Sequence, residues 1–230
     1  QVYCEGGNLC GFETLIRWFD AGKKFLSPLE FIPIAEETGI IIPLGNWIIE
    51  NAARQYALWK EKTGKDYRIA VNVSTKQLVE ADFVENLNNI LNKYHVNPDF
   101  FEVEITESQQ IENNINILET LNEIKSLGVS IAIDDFGTGY SSLHYMKSIP
   151  ADRIKIAKEL VDNIESDLYS NSIIQMVISV AKIKGIQVIA EGVETKEQWE
   201  CLKSLGCDEI QGYYFAKPMP VEKIEKSWIT

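Results

Sequence analysis

Ser130-Ile131-Ala132-Ile133-Asp134-Asp135-Phe136 is a short apolar run that ends on two adjacent acids. Its length and β-branched content predict a strand buried in a core. Three other runs end in the same way: residues 100–106 at Glu104 and Glu107, residues 185–191 at Glu191 and Glu194, and residues 9–13 at Glu13. Ionised groups are costly to gather beside a hydrophobic core unless a cation compensates them. A donor set made only of oxygens suits Mg²⁺ or Mn²⁺ rather than zinc.

Working outward from these runs, strand-like and helix-like segments alternate with short breaks. Strands are predicted at 11–18, 67–74, 100–106, 130–136, 153–157, 185–191 and 209–215. Amphipathic stretches at 28–37, 45–61, 81–94, 111–127, 141–147, 170–184 and 196–205 lie between them. Gly128, Gly185 and Gly206 each follow a helical period where a left-handed cap belongs. Alternation of this kind means parallel strands joined by crossover helices. Seven strands, with an irregular first one at 1–4, predict a TIM-like (β/α)8 barrel, an α/β fold in which residues 1–230 form a single domain. No linker or low-complexity run divides it.

A barrel gives the acids one address, because the C-terminal ends of its strands form a single face. Glu13, Asn72, Glu104, Asp134, Lys155, Glu191 and Gln211 all fall on or just after predicted strands. Each also has a plain structural reading. Asp134 and Asp135 could cap the next helix or sit in a solvated turn, and Glu191 and Glu194 could be acids in the first turn of a helix capped by Thr195. Lys155 alternates with apolar neighbours on a strand too short to say which face is the core. The conjunction favours a shared site, since one metal with its waters would satisfy most of these groups at once.

Composition narrows the function. The 230 residues are 45% hydrophobic and 24% charged, as in a globular chain with a sizeable core, and 34 acidic against 22 basic residues give a formal charge of −12. That balance argues against broad binding to duplex nucleic acid or to an anionic membrane, while leaving room for an anionic ligand held by a metal or a few aimed cations. Only His95 and His144 are present, which excludes a histidine-rich metal site. Cys4, Cys10, Cys201 and Cys207 lack CxxC spacing, and their partners stay open. There is no membrane-length apolar stretch and no signal-peptide pattern, so the chain reads as a cytoplasmic domain whose full-length protein could still be membrane-anchored. Its start at Gln1, directly into ordered-looking sequence, suggests a piece cut from a longer multidomain protein.

Seven collinear segments resemble the bacterial EAL domain: Glu13-Thr14-Leu15-Ile16-Arg17, Phe31-Ile32-Pro33-Ile34-Ala35-Glu36-Glu37-Thr38-Gly39, Asn72-Val73-Ser74, Glu104-Ile105-Thr106-Glu107-Ser108, Asp134-Asp135-Phe136-Gly137-Thr138-Gly139-Tyr140-Ser141-Ser142-Leu143, Glu191-Gly192-Val193-Glu194-Thr195 and Gln211-Gly212-Tyr213. The resemblance implies a phosphodiesterase that hydrolyses cyclic di-GMP to linear 5'-pGpG with one or two Mg²⁺ or Mn²⁺ ions. It also implies a homodimer and an upstream regulatory or GGDEF domain. Carried over by position, the metal ligands are Glu13, Asn72, Glu104, Asp134, Asp135 and Glu191. Lys155 is the lysine beside the attacking water, and Glu191 has also been given a general-base role. Gln1, Leu15, Arg17, Glu194 and Gln211 face the substrate, and Glu107 anchors the loop of residues 136–142. That loop lacks GxGxxG and is neither a dinucleotide fingerprint nor a P-loop.

Two positions depart from the family pattern. Thr14 stands where the name-giving motif has alanine and leaves Glu13 and Leu15 in place. Ala157 stands where an aspartate usually follows Lys155-Ile156, on the same strand face as the lysine. A missing carboxylate there would weaken a second ion, so a catalytically silent cyclic di-GMP receptor is the alternative to the enzyme. The complete set of principal ligands favours the enzyme.

Overall fold

The computed structural model describes residues 1–4, 7–106, 114–137 and 145–229. Eight of its strands close a barrel: β1 (Val2–Cys4), β2 (Leu9–Thr14), β5 (Arg68–Asn72), β6 (Phe101–Thr106), β7 (Ser130–Phe136), β8 (Arg153–Ile156), β9 (Gln187–Ala190) and β10 (Glu209–Gln211). The order around the ring is β1-β10-β9-β8-β7-β6-β5-β2. β1 runs antiparallel to both of its neighbours, and every other adjacent pair is parallel. This is the TIM-like barrel with an irregular first strand that the alternation implied. Cys4 on β1 and Cys10 on β2 are joined by a disulfide, whereas Cys201 and Cys207 are free.

The described α-helices are α1 (Pro28–Thr38), α2 (Ile41–Thr63), α3 (Thr75–Leu78), α4 (Phe83–Lys93), α5 (Ile115–Ser126), α6 (Tyr145–Ser148), α7 (Lys158–Val161), α8 (Leu168–Lys184), α9 (Lys196–Leu205) and α10 (Val221–Trp228). Local chemistry sets their ends. Ser27 and Glu30 form a capping box at α1, Thr195 and Gln198 another at α9, and Gly185 and Gly206 take left-handed φ of 70° and 81° as C-caps. α2 begins earlier than expected because Pro43 falls in its first turn, where no backbone N–H is needed. Among the described residues no helix is long and apolar enough to cross a membrane.

Two predicted strands stop four residues short of their expected ends. The one at 11–18 stops at Thr14, and β3 (Trp18–Phe19) pairs instead with β4 (Phe25–Leu26) as a separate hairpin, held by an edge contact of Trp18 on Phe31 at 5.2 Å. The one at 209–215 stops at Gln211. Beyond it the chain folds tightly onto the loop after β9, with a side chain at Gly212 landing 2.1 Å from the Val193 carbonyl oxygen.

Strand parity divides the molecule into two chemistries. Ile69, Val71, Phe101, Val103, Ile105, Ile131, Ile133, Ile154, Ile156 and Val188 are all buried in one apolar core with the helices. The alternate positions carry charge. Toward the strands' N-terminal ends, Arg68 forms paired hydrogen bonds with Glu209 and lies 3.5 Å from Glu102, which also accepts from Arg153 at 2.7 Å. Two guanidiniums thus balance two carboxylates, a charge-neutral arrangement that can stay buried.

Candidate metal centre

Two residues further along the same strand parity, the interior layer at the C-terminal ends is built differently. β2 supplies Glu13, β5 Asn72, β6 Glu104, β7 Asp134 and β8 Lys155, with Glu191 just beyond β9 and Gln211 closing β10. Lys155 is 1% exposed, and its ammonium lies 2.8 Å from Glu191, 3.0 Å from Glu104, 3.1 Å from Asp134 and 3.7 Å from Glu13. The structure therefore settles which way Lys155 points: inward, among four carboxylates. Asn72 donates to Glu13 at 3.0 Å and to Glu104 at 3.3 Å, and Gln211 donates to Glu13 at 2.6 Å. Each amide thereby orients an acid and leaves its own oxygen for another partner.

Asp134 and Asp135 are adjacent, yet both are part of the site. The pairing of β7 with β8 slips between Ile133 and Phe136, and Asp135 adopts a left-handed φ of 54°. Such a backbone is strained for a residue with a side chain and clusters at functional sites; here it lets consecutive carboxylates serve one face. Carboxylate oxygens of Glu13, Glu104 and Asp134 come within 4.8 Å of one another, and so do those of Asp134, Asp135 and Glu191, so the two groups share Asp134.

The electrostatics follow from four acids sharing one cation. Burial raises the Glu104 carboxyl well above its usual range, opposed by Lys155 and reinforced by Glu13 and Asp134. Burial also lifts Glu191 to about 7, with Asp134 and Glu13 repelling its charged form and Lys155 favouring it. Asp135 is raised by burial and by its neighbour Asp134. For Glu13, burial is outweighed by Lys155 and by hydrogen bonds from Gln211 and Asn72, and its carboxyl is lowered. The same fields hold Lys155 protonated, far above its ordinary value despite the cost of burial. Hard oxygen donors in negative excess fit a divalent cation, and no comparable excess exists in the balanced layer below.

A cleft of about 980 Å³ opens over this layer, lined in part by Gln1, Leu15, Arg17, Glu194 and Gln211. β1 runs antiparallel, which brings Gln1 to the same end as the other strands' C-termini. The side-chain oxygens of Gln1 and Gln211 are buried without a protein partner among the described residues. Arg17, beyond the end of β2, donates to the Ile16 carbonyl at 2.9 Å. Ala157 is fully buried and begins α7 without a side-chain cap. Glu107, expected as the loop anchor, and residues 138–144 of the loop after β7 lie outside the described residues. Two features escaped the sequence reading, Lys158 at the cleft rim and the ion network of Arg68, Glu102, Arg153 and Glu209. Charged residues on the same strand parity carried the signal for the network, Glu102, Arg153 and Glu209 two positions before a site residue and Arg68 four before Asn72.

The sequence profile described as EAL domain matches residues 1–218. The chain belongs to the EAL domain family. It is 41% identical over 218 residues to the signaling protein YkoW of Bacillus subtilis, across 95% of this chain and 27% of that protein. It is 39% identical over 220 residues to the cyclic di-GMP phosphodiesterase PdeR of Escherichia coli, across 96% of this chain and 33% of that protein. This EAL domain thus spans about a quarter to a third of the curated relatives it matches. Among solved structures, the PaMucR phosphodiesterase in complex with c-di-GMP superposes with a TM-score of 0.90 at 35% identity, over 97% of this chain and 91% of that one. The manganese and cy-diGMP complex of Klebsiella pneumoniae BlrP1 gives 0.82 at 30% identity, over 94% and 54%.

Proposed function

We propose that this EAL domain is a divalent-metal-dependent phosphodiesterase that hydrolyses cyclic di-GMP to linear 5'-pGpG. The observation that carries the reading is the contrast between the two interior layers: two arginines against two acids below, and one lysine against four acids above. The residues that would hold Mg²⁺ or Mn²⁺ are Glu13, Asn72, Glu104, Asp134, Asp135 and Glu191, with Asp134 belonging to both acid groups. Bound there, such ions supply positive charge for the phosphodiester and make a neighbouring water more acidic.

The chain's own groups do the rest. Lys155, kept protonated, is a fixed point cation for charge that builds on phosphorus oxygens in the transition state. Glu191 is a ligand and also a candidate acceptor for the attacking water's proton. The water oxygen bonds to phosphorus as its proton passes to a base, the bond to the 3'-oxygen breaks, and that oxygen takes a proton from solvent as the linear product forms. Arg17 meets a phosphate, while Gln1, Leu15, Glu194 and Gln211 place the guanine and its sugar. The unpaired oxygens of Gln1 and Gln211 support this, because a guanine offers N–H donors to match. The proposal includes a cytoplasmic domain, a homodimer, Glu107 as loop anchor and an upstream regulatory or GGDEF domain.

Incubation with cyclic di-GMP and Mn²⁺ or Mg²⁺, followed by chromatography, should yield pGpG, and Glu13→Gln should abolish it while the fold survives. A silent receptor, the reading that Ala157 favours, would bind the dinucleotide without product. Neither binding nor turnover would refute both.

A further inference from the structure

Lys158 follows Ala157 at the start of α7, and its side chain crosses from the β8 corner to the loop after β9. Its ammonium is 2.7 Å from Glu194 and 2.7 Å from Asp162. The stem passes under the turn at Gly192. A side chain on that residue would meet Lys158 Cγ at 2.3 Å and Cβ at 2.6 Å, and Gly192 also holds a left-handed φ of 68°. Gly192 is therefore needed twice, for its backbone and for the passage of the lysine. From the other side, the Gln198 side chain accepts the Glu194 amide hydrogen at 2.7 Å. Backbone and carboxylate of Glu194 are thus fixed by different elements, α9 and α7, and Lys158 and Glu194 line the same cleft as Glu13 and Glu191.

We infer that Lys158 is a positioning residue for ligand recognition: it holds the Glu194 carboxylate at the cleft mouth so that the acid presents an acceptor edge to the N–H donors of a guanine. The inference rests on the proposed function and goes beyond it by naming what orients the recognition acid. The pair Lys158–Glu194 ties the corner after β8, the strand bearing Lys155, to the loop bearing Glu191 and Glu194. Asp162 completes the arrangement by anchoring the lysine on its own helix. With Ala157 unable to cap α7, this tie also steadies a corner that lacks a side-chain cap.

The test is steady-state turnover of cyclic di-GMP with Mn²⁺ in a double-mutant cycle of Lys158→Met and Glu194→Gln. Lys158→Met should raise KM about three- to five-fold, the size expected for a half-exposed pair, with kcat within about two-fold. Lys158→Arg should restore KM. In the Glu194→Gln background, Lys158→Met should add nothing. An unchanged KM, or an equal rise in both backgrounds, overturns the inference. A second arm needs no ligand: the Lys158 ammonium signal in ¹H–¹⁵N spectra should be protected from exchange and lose that protection in Glu194→Gln. Absent turnover with a protected signal defeats the functional reading alone, and an unprotected signal defeats the strut itself.

Discussion

Replacing Lys155 by methionine keeps the volume of the side chain and removes the ammonium that sits among Glu13, Glu104, Asp134 and Glu191. All four acids lie within 2.8–3.7 Å of an ammonium that is 1% exposed. Removing one partner of a buried ion pair costs about 3–5 kcal/mol. With an unfolding entropy of about 2.1 cal/mol/K per residue, 230 residues convert this into a fall in Tm of about 6–10 °C. The assay is thermal unfolding in chelator, from pH 5 to pH 8. Lys155 stabilises at every pH below its unfolded value near 10.5, so its own titration lies outside the window. The carboxyls of Glu104 and Glu191 are raised, so their contribution is complete below about 4.5 and is lost as pH climbs through the folded values, about 7 for Glu191. Both proteins should lose stability on going from pH 5 to pH 8, the variant more steeply, and Mn²⁺ should recover part of the deficit. A Tm within about 2 °C of the unmodified chain, or a gap that widens at low pH, would refute the charge-excess argument.

Three further outcomes follow from the same layers. Mn²⁺ or Mg²⁺ should raise Tm more at pH 8 than at pH 5.5, because protons compete for the raised carboxyl of Glu191; equal shifts would place the ions elsewhere. Ala157→Asp should increase turnover at limiting metal if that position limits occupancy of a second ion, and should add about 1 kcal/mol by capping α7; chemical denaturation and a metal titration read the two effects separately. Glu209→Ala should cost about 3–5 kcal/mol by leaving Arg68 short of its partner, with KM for cyclic di-GMP preserved because the lower layer does not line the cleft.

Lys155 shows where sequence stops. On a strand of four residues, Arg153–Ile156, alternation is symmetric, and nothing local says whether lysine or isoleucine faces the core. Closure of the barrel decides it, because Ile154 and Ile156 find the helices and Lys155 finds three other strands' acids. The same symmetry leaves Arg153 unplaced by sequence, and the closed ring is what sets Arg153 and Arg68 against Glu102 and Glu209. Lys158 was invisible because its partner Glu194 is 36 residues away and only the loop geometry at Gly192 brings them together. The sequence alone determined the alternation, the helix caps and the acids at the strand ends, since these depend on neighbours within a few positions. Tertiary structure decided the sign and balance of charge inside the barrel, because electrostatic partners there are set by through-space distance between strands, which no local pattern encodes.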